Sequence, residues 1–175
     1  MRGFQLWINL PAKEKMKPAG YRDIPAAQIP VAKLSGGGSA RVIAGTLETQ
    51  AGPVAGPMQG LSTEPLYFDV ELPANGVFSQ PIAAGHNAFL YVYEGTVETG
   101  PAGTARALKT HSAGVLADGD RIEVKAGADG ARFIVLAGRP LNEPVVQYGP
   151  FVMNTREEIE QAIRDYQAGQ LALSR

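Results

Sequence analysis

The sequence predicts an all-β protein, a sandwich or barrel of short strands, ending in one α-helix. Three observations carry this. Glycine and proline supply 21 and 13 of the 175 residues and recur at intervals along the chain, as turns between short strands require. Between Arg41 and Gly138 apolar residues either alternate with polar ones or run in short, turn-bounded blocks, with no intervening helical period. A helical period emerges only near the C-terminus.

Phe4, Leu6, Ile8 and Leu10 alternate with Gln5, Trp7 and Asn9 and stop at Pro11, which predicts an N-terminal strand. The charged run AKEKMK, residues 12–17, reads as a solvated turn or a short helix. Nothing aromatic interleaves with its lysines, so it makes no case for nucleic acid. Pro25 and Pro30 hold YRDIPAAQIPVAKL extended. SGGGSA, residues 35–40, is a flexible loop without the Gly-Lys-Ser/Thr ending that a phosphate loop needs. RVIAGTLE (41–48) reads as a strand, residues 49–63 as a Gly/Pro-rich surface loop. LYFDVEL (66–72) puts Leu66, Phe68, Val70 and Leu72 on one face. NAFLYVYEG (87–95) is apolar almost throughout, as in a strand covered on both faces. TVETG, ARALKTHSAGVLADGD, RIEVKAG and ARFIVLAG follow as further strand-length, turn-bounded segments, with Asp118 and Asp120 in a turn.

NTREEIEQAIRDYQAG differs from all of these. Thr155 and Glu158 have capping-box spacing, and Ile159, Ala162, Ile163 and Tyr166 share one helical face. Glu160 and Arg164 form an i,i+4 pair, and Gly169 suits the C-terminal cap. Such a helix is expected to cover the outside of a sheet or to meet a partner.

Composition excludes several classes. A net charge of -1 offers no electrostatic grip on nucleic acid or an anionic membrane. With no cysteine there is no thiol catalysis, iron-sulfur cluster or thiolate zinc site. Gln5 and Asn9 interrupt any apolar leader near the N-terminus, and no run reaches the roughly 18 apolar residues of a membrane span. The default expectation is a soluble, cytoplasmic protein.

RGFQLWINLPAKEKM at the start, FSQPIAAG and LYVYEG in the middle, and EPVVQYGPFVMNTREEIEQAI near the end resemble the C-terminal half of the pirins. QLWINLPAK and GPFVMNT are its most specific strings, and the resemblance covers essentially the whole chain. It implies a cupin fold: a double-stranded β-helix, or jelly-roll barrel, with a C-terminal α-helix. The expected organisation is an N-terminal strand and extended linker over 1–34, the barrel over 35–150, and the helical tail over 151–175. A pirin resembles two cupin barrels in tandem, of which the N-terminal one carries iron on three His and one Glu. Quercetin 2,3-dioxygenation in some members is ascribed to that site. The chain starts at what resembles the linker into the second barrel, so the iron-bearing barrel is expected to lie outside it.

Placed on the cupin frame by Glu94-Gly95, the metal Glu would fall at Asn87. The His-x-His pair would fall near Ser79 and Pro81, or Pro81 and Ala83, and the later His near Arg132. Neutral side chains, prolines and a fixed cation make no iron site, so no catalytic residue, metal ligand or cofactor is expected in this chain. His86 and His111, some 25 residues apart, read as surface or turn residues; an enzyme would have to build a metal site from them with Glu94 or Glu98. Alternation from Asn87 puts Phe89, Tyr91 and Tyr93 on the inner face, with Arg132, Ile134 and Leu136 from another strand. This is either a filled core or a small aromatic cavity with one Arg, suited to an organic acid. Ser79 has no evident base. The expected role is a non-catalytic module that packs against a partner, either a second copy or a separate pirin N-terminal domain; a small organic ligand is the further option.

Overall fold

The computed structural model describes residues 3–101 and 103–170. Its strands, in chain order, are β1 (Val31–Lys33), β2 (Ser39–Ala44), β3 (Thr46–Leu47), β4 (Val54–Ala55), β5 (Leu66–Leu72), β6 (Val77–Pro81), β7 (Asn87–Thr99), β8 (Arg106–Lys109), β9 (Ser112–Val115), β10 (Arg121–Gly138), β11 (Val146–Tyr148) and β12 (Phe151–Met153), followed by helix α1 (Arg156–Gln167). The all-β reading with a terminal helix therefore holds. No helix among the described residues is long and apolar enough to cross a membrane.

RIEVKAG and ARFIVLAG, separate segments to the eye, form the single 18-residue strand β10. Its first half pairs with β6 and the end of β7, its second half with β5 and the start of β7. β10 thus belongs to two layers, one ordered β1-β2-β5-β10-β7 with β9 at its edge, the other β6-β10-β7-β8. The change of layer falls at a register shift between Ala126 and Ala131. Gly130 sits there with φ 78°, and a Cβ would lie 2.7 Å from the Leu72 carbonyl oxygen, so only glycine fits. Glu94-Gly95 is not a turn between strands but the matching corner inside β7, where Gly95 (φ 75°) passes close to the Gly130 carbonyl.

Between the layers lie Val42, Phe68, Val70, Leu90, Val92, Phe133 and Val135 from one side, and Phe78, Val97, Ile122 and Val124 from the other. Phe78 and Phe133 meet edge to face with ring centroids 6.0 Å apart. Full burial of each such side chain contributes about 1.5–3 kcal/mol, and that sum holds the layers together.

The chain separates into two compact units, Ile24–Pro140 and a second one formed by the described residues before Ile24 and after Pro140. This grouping differs from the expected boundaries. Val31–Lys33 is an edge strand of the main sheet rather than linker, and residues 141–150 leave the barrel to join the tail unit. The strand expected over Phe4–Leu10 is absent: alternation makes a strand only where a neighbour completes its hydrogen bonds. The second unit is instead tied by polar contacts, Ala12 N donating to Glu143 Oε2 (2.8 Å) and Lys15 Nζ donating to Val152 O (3.1 Å). The expected capping box opens α1: Thr155 Oγ1 accepts from Glu158 N (3.2 Å), and Glu158 Oε2 accepts from Thr155 N (2.9 Å). Ile159 and Ala162 are buried, whereas Tyr166 of the expected face is exposed. Residues 171–175 of the expected helical tail lie outside the described residues.

Candidate functional site

The side chains inside the barrel are the alternate set to the one expected. β7 buries Ala88, Leu90 and Val92 against the core, and β10 buries Phe133, Val135 and Ala137. Phe89, Tyr91 and Tyr93 therefore stand on the outer face with Arg132, Ile134 and Leu136, since neighbours along a strand point to opposite faces. Asn87 is exposed at the start of β7. The structure does bring these residues together, since Leu136 pairs with Phe89 and Ile134 with Tyr91 across the ladder, but on the face turned away from the core cluster, where Ile134 and Leu136 are themselves buried. The interior is filled by aliphatic and aromatic side chains.

That outer face carries a polar network. Tyr93 Oη donates to Asp69 Oδ1 (2.6 Å), Arg41 approaches Asp69 Oδ2 (3.4 Å), and Arg132 Nη2 donates to Glu71 Oε1 (2.9 Å). Partial burial, then the bond to Asp69, push the Tyr93 phenol well above its ordinary range. Arg132 is thus held by a carboxylate on the surface rather than presented to a buried acid.

The positions that the cupin frame assigns to iron ligands do not fit the metal. Ser79 accepts a hydrogen bond from Arg121 Nη1 (3.0 Å) on the exposed face of β6. Pro81, Ala83 and Asn87 are exposed, and Arg132 is outside the barrel. Among the described residues no three His, Asp or Glu side chains stand close enough together to hold a metal ion. His111 is exposed in a left-handed turn (φ 63°), its N–H donating to Val92 O (2.6 Å).

His86 corrects the sequence reading. It does follow the turn at Gly85 (φ 78°), but that turn folds the imidazole inward, leaving 8 % of the side chain exposed. It lines a cavity of about 320 Å³ with Thr46, Glu48, Glu64, Leu66 and Gln80. Gln80 is buried and fully engaged: its Oε1 accepts from Glu48 N (3.1 Å) and its Nε2 donates to Thr46 O (3.3 Å) and Pro81 O (3.0 Å). Sequence reasoning missed this site because Glu64 and His86 are 22 positions apart; the Gly85-His86 turn was the one local signal. A second, open groove of about 760 Å³ runs along β6 past Lys33, Asn75 and Arg121.

The family model described as the pirin C-terminal cupin domain matches residues 67–172. A pirin-like protein of Caulobacter vibrioides is 48 % identical over 97 % of this chain and 58 % of its own length. Human pirin is 36 % identical over 94 % of this chain and 55 % of its own length. A crystal structure of a quercetin 2,3-dioxygenase from Acinetobacter baumannii superposes with a TM-score of 0.81 at 33 % identity, covering 97 % of this chain and 56 % of that one. The chain thus spans somewhat more than half the length of these relatives.

Proposed function

We propose, from the premise that this chain belongs to the pirin C-terminal cupin domain family, that it serves as a supporting and docking domain and does not itself hold iron. The observation that carries this reading is the surface of the unit outside Ile24–Pro140. Trp7 is 66 % and Tyr21 92 % exposed, and Phe4, Ile8, Met16, Tyr148 and Tyr166 are exposed with them. A cavity of about 400 Å³ opens among Trp7, Ile8, Leu10, Lys15, Val152 and Met153. Apolar side chains exposed in this number within one unit favour a surface that is covered in use. The occupant we favour is a second cupin barrel, from an N-terminal pirin domain or from another copy of this chain.

In this reading the dioxygenase chemistry of the family belongs to the partner barrel, because the frame positions here, Ser79, Pro81, Asn87 and Arg132, offer no set of donors. Three measurements test it. Light scattering after size exclusion should give a dimer, or a complex with a separately supplied pirin N-terminal domain; a monomer at high concentration that also ignores that domain overturns the docking role. The emission of Trp7, the sole tryptophan, should shift to shorter wavelength on association, and Trp7→Asp should weaken it. Metal analysis of protein purified without chelators should find iron far below one per chain; stoichiometric iron overturns the non-catalytic reading.

A further inference from the structure

We infer that the cavity at the β3–β6 end of the barrel is a binding site for a small organic cation, an ammonium group on a short apolar body, received by Glu64 and His86. The inference does not depend on the docking role.

The lining sets the sign of the ligand. Glu48 and Glu64 contribute carboxylates, and no Lys or Arg is among the residues around the cavity. Met58, Leu61, Pro65 and Leu66 give it an apolar wall, and its volume of about 320 Å³ is at the lower end for small-molecule sites.

His86 provides the second, independent observation. Its side chain is more than nine-tenths buried, and among the described residues the imidazole makes no hydrogen bond. Its ring nitrogens are not sealed off: His86 stands on the cavity wall, where a bound group can reach it. Its recorded neighbour is Glu64, with Nε2 and Oε2 3.7 Å apart, beyond hydrogen-bond reach. Arg139 approaches the other carboxylate oxygen, Oε1, at 3.4 Å, and so leaves Oε2 turned toward the imidazole. An ammonium head carries up to three donors; Oε2 and the acceptor nitrogen of a neutral imidazole take two of them.

The backbone points the same way. Glu64 has φ 46°, in the left-handed region that glycine adopts without strain and a side chain such as glutamate resists. A carboxylate is held there in a conformation that a purely structural turn would leave to Gly or Asn. Strain of this kind collects at binding sites, where surrounding structure enforces it. Here Glu64 N donates to Leu61 O (2.9 Å) to close the turn, and Gln80 fixes the opposite wall.

The chain has two histidines, so imidazole resonances give a site-resolved readout, with exposed His111 as the internal control and His86→Asn as the assignment. The protein is titrated with n-butylamine hydrochloride, and with n-butanol and sodium butyrate as neutral and anionic probes of the same size. We expect a saturable shift at His86 with the amine alone and none at His111. Glu64→Gln should weaken the amine at least tenfold. Glu64→Gly should abolish the response while leaving Tm unchanged or higher, because it relieves the left-handed backbone. The inference is overturned by an absent or non-saturating His86 response, by equal binding of butanol or butyrate, by full retention in Glu64→Gln, or by a loss of Tm in Glu64→Gly that marks Glu64 as a structural tie.

Discussion

Leu90 and Phe89 are neighbours on β7 and separate the two possible readings of the barrel. Leu90 is fully buried in the core, and Phe89 is half-buried on the outer face. Leu90→Ala removes three carbon groups, about 2.4 kcal/mol of transfer free energy at ~0.8 kcal/mol each. The enclosed cavity left behind adds to this, so the expected loss is about 3–4 kcal/mol. Phe89→Ala deletes a larger side chain, but from a half-buried position opposite Leu136 that solvent can enter, and its expected loss is about 1–2 kcal/mol. Urea unfolding followed by far-ultraviolet circular dichroism measures both. Trp7 fluorescence would be a poor probe, because Trp7 lies outside the Ile24–Pro140 unit and is already exposed. If the two variants share the wild-type slope and Phe89→Ala costs as much as Leu90→Ala or more, Phe89 faces inward and the face assignment is wrong.

Two other substitutions probe buried polar contacts. The Tyr93 phenol ionises at higher pH when folded than when unfolded, so its contribution to stability is complete below about pH 10 and declines above it as the unfolded chain releases its proton first; Tyr93→Phe should flatten the alkaline decline in stability, and an unchanged alkaline limb would show that Asp69 and burial do not hold that proton. Gln80→Leu should destabilise by about 1–3 kcal/mol, since Glu48 N and Thr46 O lose their partner inside the fold; a neutral result in thermal unfolding would mean that water replaces the amide.

The strands were legible because most of them bury one face, and alternation over Leu66–Leu72 is a direct image of that burial. The helix was legible for a different reason: Thr155 and Glu158 cap it with bonds that span three residues, so its start is written locally. The phase of β7 and β10 was not legible. Phe89, Tyr91, Ile134 and Leu136 are as apolar as Leu90, Val92, Phe133 and Val135, so the pattern carries no sign of which row faces in. Fixing the phase on Asn87 shifted it by one residue, and a one-residue shift exchanges the two faces completely. Phe4–Leu10 alternates as well as any strand, but the hydrogen bonds that would make it one lie in partners that a local pattern does not specify. Glu64 and His86 escaped for the same reason, as their meeting depends on two turns, at Leu61–Glu64 and Ala83–His86.

β10 runs through both layers as one strand, from Arg121 opposite Pro81 to Ala137 opposite Leu66, its pairing interrupted at the corner between Ala126 and Ala131. A sandwich of two separate sheets can loosen like a book, one cover at a time. Here a single thread is stitched through both covers, and β7 repeats the stitch beside it. The protein consequently has no seam along which to part: whatever frees one layer must pull the other with it.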